Sequence, residues 1–154
     1  MLETMHVTME SSLPAAELVA FCQSAEARRC WPGVTKVESQ EGGYVYSINV
    51  DAPGWPSGEL VVEEHIRPPE KQDDAVSLEA GLLWSWPSGQ SSSSWMSYRF
   101  VEELDRTRVH YSLRYVVPGG ALGRLINRGR FVRTMERGVR RYLACLTKTP
   151  EPVD

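Results

Sequence analysis

The stretch ELVVEEHIR, Glu59 to Arg67, gathers two carboxylates, an imidazole and a guanidinium between Glu63 and Arg67. Carboxyl and imidazole groups exchange protons at a reacting carbonyl or hydroxyl, and a guanidinium can hold the resulting enolate or carboxylate through two parallel hydrogen bonds. Glu64, His65 and Arg67 are therefore the candidate catalytic residues. Leu60, Val62 and Ile66 set the apolar register of a strand, which puts Glu64 on the inner face and Glu63, His65 and Arg67 on the outer one. A bulge at the Pro68-Pro69 bend would turn Arg67 inward. Facing an apolar interior, Glu64 would have its pKa raised by desolvation and could act as a general acid or base. Paired with an arginine such as Arg99 or Arg114 across the sheet, it would be structural instead.

Other chemistries find less support. No Gly-x-Ser-x-Gly elbow is present, and no serine or cysteine stands where a histidine would activate it. His6, His65 and His110 fall one per expected strand, so no metal site is expected. Cys22, Cys30 and Cys145 are odd in number and form no Cys-x-x-Cys pair. They are expected to pack as small hydrophobes, with neither a disulfide nor a zinc site.

The elements that must position Glu64 follow from periodicity. Thr4 to Ser12 reads as a strand, with Ser12 capping a helix that Pro14 opens. Leu18, Val19, Phe21 and Cys22 make its apolar face, and the polar QSAEARR predicts a second short helix ending at Trp31-Pro32-Gly33. From there the period is two. Tyr44, Tyr46, Ile48 and Val50 share one face, as do Val76 through Trp84 and Trp86, then Met96, Tyr98 and Phe100, then Val109 through Val117. RPPEKQDD reads as a breaker between strands. Short polar connections predict an antiparallel meander of six to seven strands with one solvated face.

Ala121 to Leu146 carries seven arginines and one acid in a chain of net charge −3. Leu122, Leu125, Ile126, Val132, Met135, Val139, Tyr142, Leu143 and Leu146 recur at helical spacing, so this is one long amphipathic helix. Its basic face could lie on an anionic membrane, bind nucleic acid, or be solvated and balanced by the acids of the rest of the chain. Solvation is the expectation for the arginines, including Arg128, Arg133, Arg137 and Arg140. No nucleic-acid motif accompanies them. Gly129 on the apolar stripe, flanked by Gly138, suggests close backbone approach or space for a ligand. A single curved sheet cannot bury its concave face with two short helices, so the long helix must cover it.

This order of a strand, two short helices, a strand meander and a long C-terminal helix resembles the START-like, birch-pollen-allergen-like helix-grip superfamily over nearly the whole chain. The segments RRCWPGVTKVES, EEHIRPPEK and RTRVHYSLRYVVPGGALGRLINRGRFVRTMERGVRRYLACL are similar to the bacterial polyketide cyclase/dehydratase branch. The resemblance implies an α+β helix-grip domain over residues 1–148 and a cavity between sheet and helix for a hydrophobic, polyketide-like or lipid-like molecule. It implies no cofactor. Trp31 and Arg67 match a tryptophan and an arginine that help hold substrate in that branch's aromatase/cyclases. Glu63, Glu64 and His65 stand where aromatic and hydroxyl residues are the pattern.

The residues and the resemblance together predict that Trp31, Tyr46, Trp84, Trp86, Tyr98, Tyr111, Leu125, Val132 and Met135 line the ligand site. Rings with one polar tip suit flat, oxygenated molecules. The expected activity is cyclisation or dehydration of the ligand, with carriage of the ligand as the alternative. The chain is further expected to be cytoplasmic, a monomer or homodimer, and frayed over residues 149–154. Apolar runs fall far short of the roughly 20 residues that cross a bilayer, which leaves surface contact as the form of any membrane association.

Overall fold

The structure is a computed structural model and describes residues 2–119 and 121–148. The tail at 149–154, expected to be frayed, lies outside the described residues. Strand β1 (Leu2–Ser11) leads into helices α1 (Ala15–Cys22) and α2 (Ala25–Arg28). Strands β2 (Val34–Gln40), β3 (Gly43–Val50), β4 (Gly58–Ile66), β5 (Glu70–Gln72), β6 (Ala75–Ser85), β7 (Ser91–Glu102) and β8 (Thr107–Val116) follow, and then helix α3 (Ala121–Thr147). α1 opens at Pro14 without a side-chain cap. The Ser11 hydroxyl, rather than that of Ser12, reaches the turn and accepts from the Leu13 N–H at 3.2 Å.

The strands form one curved, unclosed antiparallel sheet in the order β1-β8-β7-β6-β4-β3-β2, with β5 paired to β6. The sheet has eight strands, one more than the periodicity predicts. The additional one is β5, inside the breaker RPPEKQDD. After Pro68-Pro69, three residues find partners at Ala75–Ser77 because Asp73 adopts φ 54° and closes a tight turn. Aspartate tolerates that left-handed backbone, and pairing this short needs no apolar pattern.

Alternation places Tyr46, Leu60, Val62, Glu64, Leu78, Ala80, Leu82, Trp84, Met96, Tyr98, Phe100, Val109, Tyr111 and Leu113 on the concave, buried face. α1, α2 and the second half of α3 cover that face. Phe131, Met135, Val139, Tyr142, Leu143 and Leu146 of α3 are buried in the core. The apolar stripe is not buried over all of its described length. Leu125 is 80% exposed and Ile126 70%, and residues 125–130 are all exposed. The side chain of Leu122 lies outside the described residues. The helical period continues past the point where anything packs on it. Among the described side chains of α3, Phe131 is the first seated in the core, beside the loop between β3 and β4. Gly54 of that loop, at φ 80°, lies so near α3 that a Cβ would sit 2.9 Å from the Phe131 backbone nitrogen. Gly129, expected to mark a close approach or a ligand gap, faces open space.

The expectation of unpaired cysteines is corrected. Cys30, at the end of α2, and Cys145, in the last turn of α3, form a disulfide across 115 residues with Cα atoms 5.5 Å apart. Cys22 is a buried free thiol. Spacing alone carries no trace of the bridge, because the helix must first run the length of the sheet before its end meets α2. Among the described residues no group of three or more His, Cys, Asp or Glu could hold a metal, and no helix is long and apolar enough to cross a membrane.

Candidate functional site

Four-residue α2 is capped by Ser24, whose hydroxyl accepts from the Ala27 N–H. This cap aims Ala27 and Arg28 inward, where Arg28 is 1% exposed. Its Nη2 donates to the Cys22 carbonyl at the end of α1 at 2.5 Å. Its Nη1 lies 3.4 Å from Glu64 Oε2, and Glu64 is equally buried. The guanidinium stands over the Tyr44 ring, 5.3 Å from its centroid, while the Tyr44 hydroxyl donates to the Gln23 carbonyl at 2.7 Å. From β3 the Tyr46 hydroxyl donates to Glu64 Oε1 at 2.8 Å.

Glu64 thus sits inside, as strand alternation requires, but its cation is Arg28 of α2. Arg99 and Arg114, the expected candidates, are exposed on the convex face. Burial pushes the Glu64 carboxyl up, and Arg28 and Tyr46 only partly pull it back, so it binds its proton more tightly than an ordinary carboxylate. Burial, together with the charge of Glu64, also raises the Tyr46 hydroxyl well above its usual range and keeps it neutral. The cluster can store and pass a proton, provided a reacting group reaches Tyr46.

A space of about 410 Å³ borders Tyr44, Gln23 and the sequence-predicted Arg67; two further spaces lie on the Tyr46 side. A cavity of about 50 Å³ under the helix is lined by Tyr46, Trp84, Leu82, Met96, Leu113 and Leu60 among others. A cleft of about 400 Å³ opens between α3 and the segment from β3 into the β3–β4 loop. Trp31, Ile48, Trp55 and Met135 line both, so these four side chains form the partition between them. Trp31 stacks on Tyr142 with ring centroids 3.9 Å apart, and Trp55 stacks on Phe131 at 4.4 Å. The Trp55 indole N–H also donates to the Phe131 carbonyl at 3.3 Å. Thr134 ties the loop to the helix by donating to the Pro53 carbonyl at 3.0 Å. On the helix side the cleft is walled by Thr134, Met135, Arg137, Gly138 and Arg141.

The sequence-predicted residues therefore divide. Trp31 and Met135 border both spaces, and Tyr46 and Trp84 border the inner cavity. Trp86 packs against Trp84, Trp55 and Phe131 beside the cavity. Val132 is partly buried against the core. Tyr98 and Tyr111 border neither space; the Tyr98 hydroxyl meets that of Tyr142 at 2.6 Å, and the Tyr111 hydroxyl is buried without a partner. The expectation that Tyr46, Trp84, Tyr98 and Tyr111 share one continuous cavity is thus corrected, because helix α3 brings Tyr142 down onto the last two. Leu125 is exposed beyond the sheet.

His65 and Arg67 are on the convex face. His65 is exposed. Arg67 keeps its place in the ladder, its N–H donating to the Glu79 carbonyl at 2.9 Å, so no bulge turns it inward. Its guanidinium lies 3.7 Å from the Glu79 carboxylate and stacks over Trp95, 4.7 Å from the ring centroid. Trp95 in turn lies across Gly81, where a Cβ would meet the indole at 3.2 Å.

Sequence reasoning missed Arg28, Trp55 and the cleft-facing pair Arg137 and Arg141. Trp55 sits in the turn-rich DAPGWPSG, where one aromatic among turn residues was the available signal. Arg28 lies in a polar break and carried none.

No family model matches the chain, and no curated protein matches it by sequence. Solved structures do match. An aromatase/cyclase, Zhui, from a Streptomyces species superposes with a TM-score of 0.66 at 15% identity, covering 96% of this chain and 93% of that one. Norcoclaurine synthase from Thalictrum flavum, solved with dopamine and hydroxybenzaldehyde, superposes at 0.62 with 13% identity over 96% and 86% of the two chains. A START superfamily protein from Mycobacterium smegmatis superposes at 0.61 with 11% identity over 94% and 97%. At these identities the likeness is one of architecture. The chain has the START-like helix-grip fold.

Proposed function

We propose that this protein binds a hydrophobic, ring-bearing small molecule, polyketide-like or lipid-like, in the cleft between α3 and the β3–β4 loop. The observation that carries the reading is the aromatic-walled cleft of about 400 Å³ that shares four wall residues with a cavity reaching Tyr46. Ligand sites fall at roughly 300–1,000 Å³ and are lined mainly by apolar and aromatic side chains. Met135 is the most adaptable of the four partition residues, and its displacement would join the two spaces. The aromatase/cyclase and the synthase of the same fold support a small-molecule site.

On this reading the reaction is cyclisation or dehydration, with Tyr46 touching the ligand and Glu64 behind it. Glu64 in its acid form donates to the Tyr46 oxygen as Tyr46 passes its own proton to a ligand carbonyl or leaving hydroxyl. The Glu64 carboxylate then recovers a proton from the ligand through Tyr46, so a dehydration releases one water and leaves the enzyme unchanged. A carrier is the second reading, favoured by the depth at which Glu64 is sealed and paired with Arg28.

Native mass spectrometry of protein purified from its own producer tests binding, since a co-purified small molecule should be retained by the parent and lost from Gly138→Leu. A leucine there enters open space on the cleft wall. If Gly138→Leu keeps the ligand, the cleft is not the site. With the ligand in hand, Glu64→Gln should keep binding and lose turnover. Full turnover in that variant refutes the proton role, and absence of turnover in the parent leaves the carrier.

A further inference from the structure

Trp31, Pro32 and Gly33 form one wall of the cleft, and this short segment is held at both ends. At its far end the Gly33 carbonyl accepts from the Asn49 N–H at 2.9 Å, which fixes it to β3. At its near end it is tied to α3, and the tie is double. Cys30 is bridged to Cys145, and the Trp31 ring stacks on Tyr142 with the planes 5° apart. Tyr142 and Cys145 are three residues apart and so share one face of α3. Two consecutive residues of the segment thus grip two neighbouring positions of the helix. Helix α2 itself makes almost no contact with α3, so the bridge and the stack are the ties that span them. Trp31 also stands in the partition between the cleft and the inner cavity, and whatever fixes its ring fixes the passage between the two. The halves of the bridge are unequally sheltered: Cys30 is buried, whereas Cys145 is an exposed position of α3. Exposed disulfides are the labile ones that regulate. Cys22 does not attack the bridge from within, because burial pushes its thiol up to about 12 and only a thiolate attacks a disulfide. The bridge is therefore opened from outside.

Resting on the binding reading above, we propose that the Cys30–Cys145 bridge is a redox switch on the cleft: oxidised, it locks Trp31 in the partition and the ligand is retained, and reduced by a dithiol, it frees the wall and the ligand is released. A thiolate of the dithiol bonds to the Cys145 sulfur, the bond between the two sulfurs breaks, and Cys30 leaves and takes up a proton. The second thiol of the reductant then displaces Cys145, which is protonated in turn. The bridge has gained two electrons and two protons, and the dithiol has become its own disulfide. With the covalent tie gone the stack alone holds Trp31 to α3, and one ring pair is a weak contact. Ordering that the bridge had already imposed on the wall then falls on the ligand, and affinity drops. The core residues of α3 from Phe131 to Leu146 keep their burial without the bridge, so the domain stays folded.

N-phenyl-1-naphthylamine, a neutral ring-bearing dye that fluoresces in apolar sites, reads the switch. The oxidised protein should bind the dye, and Gly138→Leu should weaken that binding. Dithiothreitol in native buffer should reduce the bridge, leave a cooperative melt at a lower temperature, and weaken dye binding about tenfold. Oxidised glutathione should restore it. Cys30→Ser/Cys145→Ser should bind as the reduced protein does and respond to neither reagent. If the reduced and oxidised proteins bind the dye equally while Gly138→Leu weakens both, the cleft is a ligand site and the switch is overturned. The switch is equally overturned if the bridge resists dithiothreitol until the protein is unfolded, or if reduction abolishes the cooperative melt along with the binding, since the bridge is then a structural staple. If the dye binds neither form, or binds Gly138→Leu as well as the parent, the cleft reading falls and takes this proposal with it.

Discussion

Arg28→Met removes the cation that faces Glu64 while keeping an unbranched apolar side chain of similar reach. Arg28 and Glu64 are each 1% exposed. Removing one partner of such a pair strands a buried carboxylate and costs about 3–5 kcal/mol. The lost donor to the Cys22 carbonyl accounts for about 1–3 kcal/mol of this and is independent of pH. The remainder depends on Glu64. Its carboxyl already binds a proton more tightly folded than unfolded, so between the two pKa values the folded state holds more protons, and stability falls as pH rises through that window. Arg28 is what pulls the folded value down. Without it the window extends upward, and the gap between parent and variant must widen as pH rises. Urea titrations at about pH 4 and about pH 8 should show a penalty near the lower end at the first and near the upper end at the second. Thermal melting should track this at roughly 2–4 °C per kcal/mol. Arg28→Met/Glu64→Gln, which retains a partner for Tyr46, should recover the pH-dependent part. Equal penalties at both pH values, or no recovery in the double variant, would refute the assignment of Arg28 as the partner of Glu64.

Loss of the Cys30–Cys145 bridge, by Cys30→Ser or by a thiol reductant, should cost about 2–5 kcal/mol in chemical denaturation, since it closes a long loop. Unreduced, denatured protein should take one maleimide, at Cys22, and three labels before reduction would show that the bridge does not form. In the native state Cys22 should resist labelling at neutral pH, because burial pushes its thiol up to about 12. Phe131→Ala should cost about 3–5 kcal/mol, while Leu125→Ala should stay within about 0.5 kcal/mol; comparable losses would mean that the buried face of α3 begins earlier than Phe131.

Period-two and helical apolar patterns are local properties, and they were enough to determine the element order, the antiparallel meander and the need for a long helix across its concave face. The placement of Glu64 inside and His65 outside follows from the same alternation, because one step along a strand reverses the side chain. Contacts between segments distant in the chain are another matter. Nothing around Arg28 distinguishes it from Arg29, yet the Ser24 cap and the short α2 send one beneath the sheet to Glu64. The periodic stripe of α3 includes Leu125 and Ile126, but burial requires a surface opposite, and among the described side chains of the helix that surface is first met at Phe131. Cys30 and Cys145 meet only because α3 returns to the end of α2. Tyr98 and Tyr111 have the same alternating signature as Tyr46, and the descent of Tyr142 is what closes the space above them. Side-chain direction is thus set by the strand itself, whereas who stands opposite is set by how the helices close over the sheet.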